Sequence, residues 1–473
     1  MPKTTPTHLA GPARKTAAGP ASRKLRARVT RLDGITKAVL PNGMTLVMRE
    51  MHAAPVTSFW VWFRVGSRNE HLGITGISHW VEHMLFKGTP SYTESDLDRM
   101  ISREGGARNG MTWIDWTTYY ETMPSNKIDL ALRIEADRMA NSLIDPQEVL
   151  SERTVIINER QGSENSPGFR LSEEVQAAAF RVHPYGHEVL GHTCDLQAMT
   201  RADLYTHYRT YYAPNNAIAA VAGDFDTTEM LEKLTKLYGK LKPVAAIPAV
   251  NAVEPPQRGE RRVTVKGEGN TDYLLLAFHA PPTVQRDPKA RPGAPTPAHE
   301  DFFPLLALDS VLCGASGLSF LGGGSSNRSS RLSKALVDSG LAADIGGGVT
   351  PTIDPYLYSF FATPQQGKDI NEVERALWNE LERVQQDSVT QAELDKAIKQ
   401  TRAQFAFGSE SVTNQAFWLG YCEIFADYSW FASYLDKLSA VSIDDVKRVA
   451  NRYLTRDNVT VGHYRGQANA EQS

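Results

Sequence analysis

The feature that most constrains this chain is a helix–turn–strand unit that occurs twice in one register. Thr200-Arg201-Ala202-Asp203-Leu204 precedes Tyr211 and Asn216-Ala217, and Ser442-Ile443-Asp444-Asp445-Val446 precedes Tyr453 and Asn458-Val459. From Thr200 to Ser442, Tyr211 to Tyr453 and Asn216 to Asn458, the offset is always 242 positions. Each copy reads as a helix opened by a Ser/Thr cap, a short turn and an apolar strand, at 218–222 and 459–463. One such unit is common in α/β proteins, but three anchors in constant register imply an internal duplication. The 473 residues are too many for one ordinary core and suit two domains of about 200 residues each.

Composition sets the expected division. The Pro-rich stretch Ile247-Pro248-Ala249-Val250-Asn251-Ala252-Val253-Glu254-Pro255-Pro256 reads as a linker. The domains expected are therefore 33–245 and 258–465, joined by 246–257, after a flexible basic arm at 1–32 and before a tail at 466–473. The arm has Lys and Arg but no acid before Asp33, while its Pro and Gly residues oppose a continuous amphipathic helix. It lacks the apolar segment of a secretory signal. It is read as the remnant of a removed signal, with the periplasm as the expected compartment and cytoplasm or mitochondrial matrix as alternatives.

A net charge of −3 gives no support for nucleic acid or an anionic membrane as partner. No apolar run reaches the 18 or so residues that span a bilayer. Cys194, Cys313 and Cys422 are odd in number and lack metal spacing, so each is read as a small buried hydrophobe. Trp60, Trp62 and Phe63 are read as core residues. Gly322-Gly323-Gly324-Ser325-Ser326 reads either as a loop lining a chamber between subunits or as a plain connection, and the insert at 284–299 as a surface loop.

The chemistry is concentrated in His79-Trp80-Val81-Glu82-His83. Residues i and i+4 share a helix face, so His79 and His83 can grip one ion with Glu82 beside it. The order HxxEH is the inverse of HExxH and belongs to a separate class of zinc peptidases. Apolar residues Trp80, Val81, Met84, Leu85 and Phe86, then Lys87-Gly88, support a helix and its stop. A catalytic zinc normally takes a third protein ligand. Asp145-Pro146-Gln147-Glu148 reads as a helix start, and Glu152 and Glu159 further along lie two turns apart on one face. Those carboxylates alone read more simply as a solvated acidic face paired with Arg153 and Arg160. His183 and His187 are also four apart, but Pro184 and Gly186 defeat the helical-face argument, and they are read as loop residues. His192, His207 and His279 are read as packing or surface positions.

The pattern as a whole resembles the pitrilysin and insulinase family, nearest its mitochondrial processing peptidase branch. The matching residues are Gly66-Ser67, Glu82-His83-Met84-Leu85-Phe86-Lys87-Gly88-Thr89, and Gly105-Gly106 with Asn109, Thr112, Asp115 and Tyr119. They continue through His183-Pro184-Tyr185-Gly186-His187, Met199-Thr200, Tyr211-Tyr212 and Asn216-Ala217 to Ala222-Gly223-Asp224. The resemblance implies an α+β fold of two similar domains, each an antiparallel sheet covered by helices. It implies Zn2+ held by His79, His83 and Glu159, Glu82 as general base on the water that the zinc activates, and Glu152 supporting the site from behind. It also implies that a strand at Asn109 and Gly110 receives the peptide substrate as an added strand. Gly110 stands where relatives often have Ala.

Fully active relatives carry an Arg and a Tyr seven residues apart, in a stretch like LREKRGLAY, reaching the substrate and developing oxyanion. Here Leu336 or Val337 stands in place of the Arg and Ala343 in place of the Tyr, and Arg331 matches a different family position. Loss of one oxyanion donor costs about 10²–10³ in rate. The expectation is a metal-bearing endopeptidase subunit of a heterodimer whose related partner supplies Arg and Tyr. A self-sufficient homodimeric peptidase and a non-catalytic assembly protein are the alternatives.

Overall fold

The computed structural model describes residues 27–285, 297–315 and 328–467. The glycine-rich segment 322–326, most of the insert at 284–299 and the arm before residue 27 lie outside the described residues. The first sheet comprises β1 (Arg28–Leu32), β2 (Ile35–Val39), β3 (Thr45–Glu50), β4 (Val56–Phe63), β5 (Ala107–Thr112), β6 (Thr117–Pro124) and β7 (Ala217–Gly223). Its order is β1-β2-β3-β7-β4-β6-β5. The second comprises β8 (Arg261–Glu268), β9 (Tyr273–Ala280), β10 (Ala342–Val349), β11 (Tyr356–Pro364) and β12 (Val459–Gln467), in the order β8-β12-β9-β11-β10.

Strand for strand, β3-β7-β4-β6-β5 and β8-β12-β9-β11-β10 are the same sheet built twice. Both are antiparallel except at one pair, β3 with β7 and β8 with β12. The expected antiparallel sheets, covered by helices, are found, and the one parallel pair in each arises because its late strand is fed by a helix that crosses the sheet and can return it parallel. Those helices are the duplicated ones, Arg201–Tyr211 and Ile443–Tyr453, each opened by a capping box at Thr200 or Ser442.

Two expected boundaries shift. Arg28–Leu32, assigned from sequence to the flexible arm, is strand β1 paired with β2. Asp33 and Gly34 both have positive φ, the conformation of a tight two-residue hairpin, and that dipeptide signal lies at the expected boundary. Gly466 and Gln467, assigned to the tail, belong to β12, where they pair with Gly267 and Glu268. Cys194 is exposed, which corrects its reading as a buried hydrophobe, whereas Cys313 is half-buried, Cys422 is buried and all three are free.

The two halves exchange helices. On one face of the first sheet, Phe59, Val61, Phe63 and Val221 pack with helices Ile77–Met84 and Ile128–Asn141. On the opposite face, Trp60, Trp62, Ile218 and Ala220 are covered by helix Val412–Phe425 from the second half. Phe417 of that helix stands edge-on to Trp60 and Trp62 at 5.6 and 5.2 Å between centroids. Both tryptophans are fully buried; at about 25 cal/mol per Å2, each contributes on the order of 5 kcal/mol. Reciprocally, Leu171 and Val175 of helix Pro167–Ala179 cover Leu275, Ala277 and Leu357 of the second sheet. Among the described residues, no helix is long and apolar enough to cross a membrane.

Candidate metal centre

Helix Ile77–Met84 carries the HxxEH residues and buries Trp80, Val81 and Met84 against the first sheet. Its one-turn spacing sets the His79 and His83 rings 4.7 Å apart. Across from it runs helix Pro146–Glu164, with Pro146 at its first position and Asp145 Oδ1 accepting from the amides of Gln147 and Glu148 at 2.8 and 3.3 Å. Glu159 Oε2 stands 3.8 Å from His79 Nε2 and 3.6 Å from His83 Nε2. One ligand atom from each of the three lies within 4.8 Å of the others. These separations exceed a hydrogen bond and suit donors that each reach about 2.0–2.2 Å to one ion. Two imidazole nitrogens and a carboxylate oxygen are also the donor chemistry of a hydrolytic zinc site. Glu159 is 44% exposed, so the cluster opens to solvent on its side.

The two rings are held differently: burial keeps His79 neutral, whereas for His83 burial is outweighed by the Glu152, Glu82 and Glu159 carboxylates, which raise its pKa, so an ion there would displace a proton. Burial, reinforced by His83, pushes the His79 pKa down to about 3, leaving a neutral ring. Glu152 Oε1 lies 2.8 Å from His83 Nδ1, and its other oxygen lies 2.8 Å from Lys87 Nζ. Burial alone would raise the Glu152 pKa, but His83 and Lys87 outweigh it and hold the carboxyl below its ordinary value. A carboxylate can only accept, so His83 Nδ1 carries the hydrogen and Nε2 is left to face His79 and Glu159.

Glu82 sits beside this cluster without joining it. It is buried, and Thr112 donates to its Oε2 at 2.9 Å. Burial lifts its pKa to about 7 against the pull of His83 and Thr112, placing it where a general base works best near neutrality. Thr112 belongs to β5, the edge of the first sheet, which among the described residues pairs only with β6. Asn109 and Gly110 lie on the same strand, where Asn109 Oδ1 accepts from the Gly110 amide at 2.9 Å. A Cβ on Gly110 would come within 2.8 Å of the Phe86 ring and 3.1 Å of Glu82 Oε1, so glycine suits this position. An open recess of about 330 Å3 lies between them, lined in part by Glu82, His83, Phe86, Lys87 and Arg108.

The structure therefore brings His79, Glu82, His83, Glu152 and Glu159 together, with Asn109 and Gly110 on the adjoining edge. His183 and His187 lie outside the cluster, at the ends of the turn Pro184–Gly186. His207 is buried, its pKa pushed down to about 4 by burial, with Nε2 3.2 Å from Ser78 Oγ. Sequence reasoning missed Glu70, which binds the start of the HxxEH helix, and saw Lys87 only as a helix-end cation. No local signal marks Glu70, since its partners lie as far away as His187. In the second half, Leu336 is buried, Val337 is half-buried and Ala343 lies exposed on β10. Arg331 is engaged in a two-pronged pair with Glu393 at 2.9 and 3.0 Å.

Comparison with known proteins extends these findings. Residues 45–193 match the model of the insulinase family, peptidase family M16, and residues 198–401 match that of the peptidase M16 inactive domain. The zinc protease PqqE of Helicobacter pylori is 29% identical over 426 residues, covering 88% of this chain and 89% of that one. A probable mitochondrial-processing peptidase subunit beta of Arabidopsis thaliana is 33% identical over 202 residues, 43% of this chain and 38% of that one. The crystal structure of a protease from Helicobacter pylori superposes with a TM-score of 0.83 at 27% identity, covering 91% of this chain and 98% of that one.

Proposed function

The chain belongs to the insulinase family, peptidase family M16, and on that footing we propose that it is the zinc-bearing subunit of an endopeptidase acting on peptides or unfolded polypeptides. The observation that carries this reading is the convergence of His79, His83 and Glu159 beside the buried carboxyl of Glu82. His79, His83 and Glu159 would hold zinc, which would supply Lewis acidity toward water and the scissile carbonyl. Glu82 takes a proton from the attacking water and passes it to the leaving amine. Glu152 orients the His83 ring, and Lys87 keeps Glu152 ionised. The free edge of β5 pairs with the substrate backbone at Asn109 and Gly110, a mode of recognition that tolerates varied side chains.

The same reading makes the active site incomplete in one chain. Leu336, Val337 and Ala343 offer no group to a developing oxyanion, and Arg331 is occupied by Glu393. A related chain carrying Arg and Tyr supplies them in a heterodimer; the Arabidopsis relative is itself named as a subunit. The test is zinc content and peptide hydrolysis for the chain alone, for Glu82→Gln, and for the chain mixed with such a paralogue. The outcome expected is stoichiometric zinc in all three, loss of about 10²–10⁴ in rate for Glu82→Gln, and a gain of at least about 10² on mixing. Brisk hydrolysis by the isolated chain favours a self-sufficient homodimer. Absence of zinc favours a non-catalytic assembly role.

A further inference from the structure

The His183-Pro184-Tyr185-Gly186-His187 motif takes no part in the chemistry above, yet its side chains reach three separate parts of the molecule. His187 Nε2 lies 2.9 Å from Glu70 Oε2. The same carboxylate accepts from the amides of Gly76 and Ser78, each at 2.8 Å, so it closes the first turn of the HxxEH helix, which has no side-chain cap of its own. Glu70 is 3% exposed; burial alone would raise its pKa, but His187 and the two amides hold it below its ordinary value. Tyr185 donates to Asp115 Oδ1 at 2.6 Å, while Asp115 Oδ2 accepts from the amide of Ile353 in the second half at 2.9 Å. His183 Nε2 lies 3.2 Å from Asp354 Oδ2, an oxygen that also takes Arg68 Nε at 2.6 Å. Arg68 is two residues from Glu70. Behind the turn, Gln176 of the exchanged helix Pro167–Ala179 donates to the carbonyls of Tyr185 and His187 at 2.6 and 3.2 Å. Glu254 of the inter-domain segment accepts from the amides of Arg181, Val182 and His183.

We infer that residues 181–187 are a positioning element that seats the HxxEH helix through His187 and Glu70 and ties that seat, through Tyr185 and His183, to Ile353 and Asp354 of the second half. The second half thereby governs how well His79 and His83 face Glu159 through this relay. Core packing of Trp80, Val81 and Met84 holds the body of this eight-residue helix, and the Glu70 carboxylate fixes its first turn, from which His79 projects. This inference rests on the zinc reading above.

The test uses the full chain, with zinc affinity measured by chelator competition and hydrogen exchange measured at amides 76–83. His187→Ala is expected to weaken zinc binding about ten-fold and to speed that exchange. Asp354→Ala, in the other half, is expected to move both readouts in the same direction. His187→Gln, which keeps an N–H donor, is expected to restore most of the loss. Glu374→Ala is the control: it removes a comparable buried pair, with His463 at 2.8 Å, and is expected to lower Tm without moving zinc affinity. Zinc bound by the wild type but unmoved by His187→Ala and Asp354→Ala overturns the coupling alone. A wild type that binds no zinc overturns the metal reading instead.

Discussion

Asp309 shows what one buried carboxyl does where no ion is at stake. It lies on helix Phe302–Leu312, which stands between β9 and β10 as the HxxEH helix stands between β4 and β5. That helix is otherwise almost wholly apolar, and Asp309 is 2% exposed. Burial lifts its pKa from 3.8 to about 7, against weaker lowering by Tyr358 and Cys313. Folding therefore favours the protonated form. The stability it confers is full below 3.8, declines as pH rises and is lost above about 7. Asp309→Asn removes the charge and keeps the shape, so it is expected to raise Tm at pH 8, by an amount equivalent to a few kcal/mol, roughly, with little change at pH 4. Equal shifts at the two pH values would refute the assignment. At this scale the sequence was partly legible. The four-residue spacing of His79 and His83 states their shared face, but Glu152 and Glu159 beside Arg153 and Arg160 needed the family resemblance to distinguish ligand from solvated face. Glu70 and His187 were illegible because only tertiary folding closes the 117 residues between them.

Each exchanged helix meets its sheet at a glycine. On helix Val412–Phe425, a Cβ at Gly420 would overlap the indole of Trp62, and on β12 a Cβ at Gly462 would overlap Val175 and Leu171 of helix Pro167–Ala179. Alanine is the better helix former by about 1 kcal/mol, so propensity alone makes Gly420→Ala stabilising. Steric overlap with a fully buried tryptophan outweighs it, and Gly420→Ala and Gly462→Ala are each expected to cost about 1–3 kcal/mol in urea denaturation. A neutral Gly420→Ala would mean that the helix slides freely on the sheet. The element boundaries were legible where a cap announces them, as at Asp145-Pro146 and at Thr200 and Ser442. The exchange was not, because periodicity tells which face of a helix is buried and is silent about which sheet covers it.

At the scale of the molecule, the duplication and the exchange together make neither half complete. The constant 242-residue offset anticipated two sheets of one strand order, and the parallel pair at β3–β7 and β8–β12 follows from where the repeated unit enters each. Cutting the chain within 246–257 would leave the first half with Trp60, Trp62, Ile218 and Ala220 uncovered, and the second with Leu275, Ala277 and Leu357 uncovered. An apolar face of that kind drives association or aggregation when exposed. The two halves, produced together as separate chains, are therefore expected to co-purify as a one-to-one complex on size exclusion, and each produced alone to aggregate. Two halves that remain soluble monomers would show that the exchanged helices merely rest on sheets stable without them. Association would instead make the inter-half surface part of each core, which is the mechanical condition for the second half to influence the HxxEH helix packed on the first sheet.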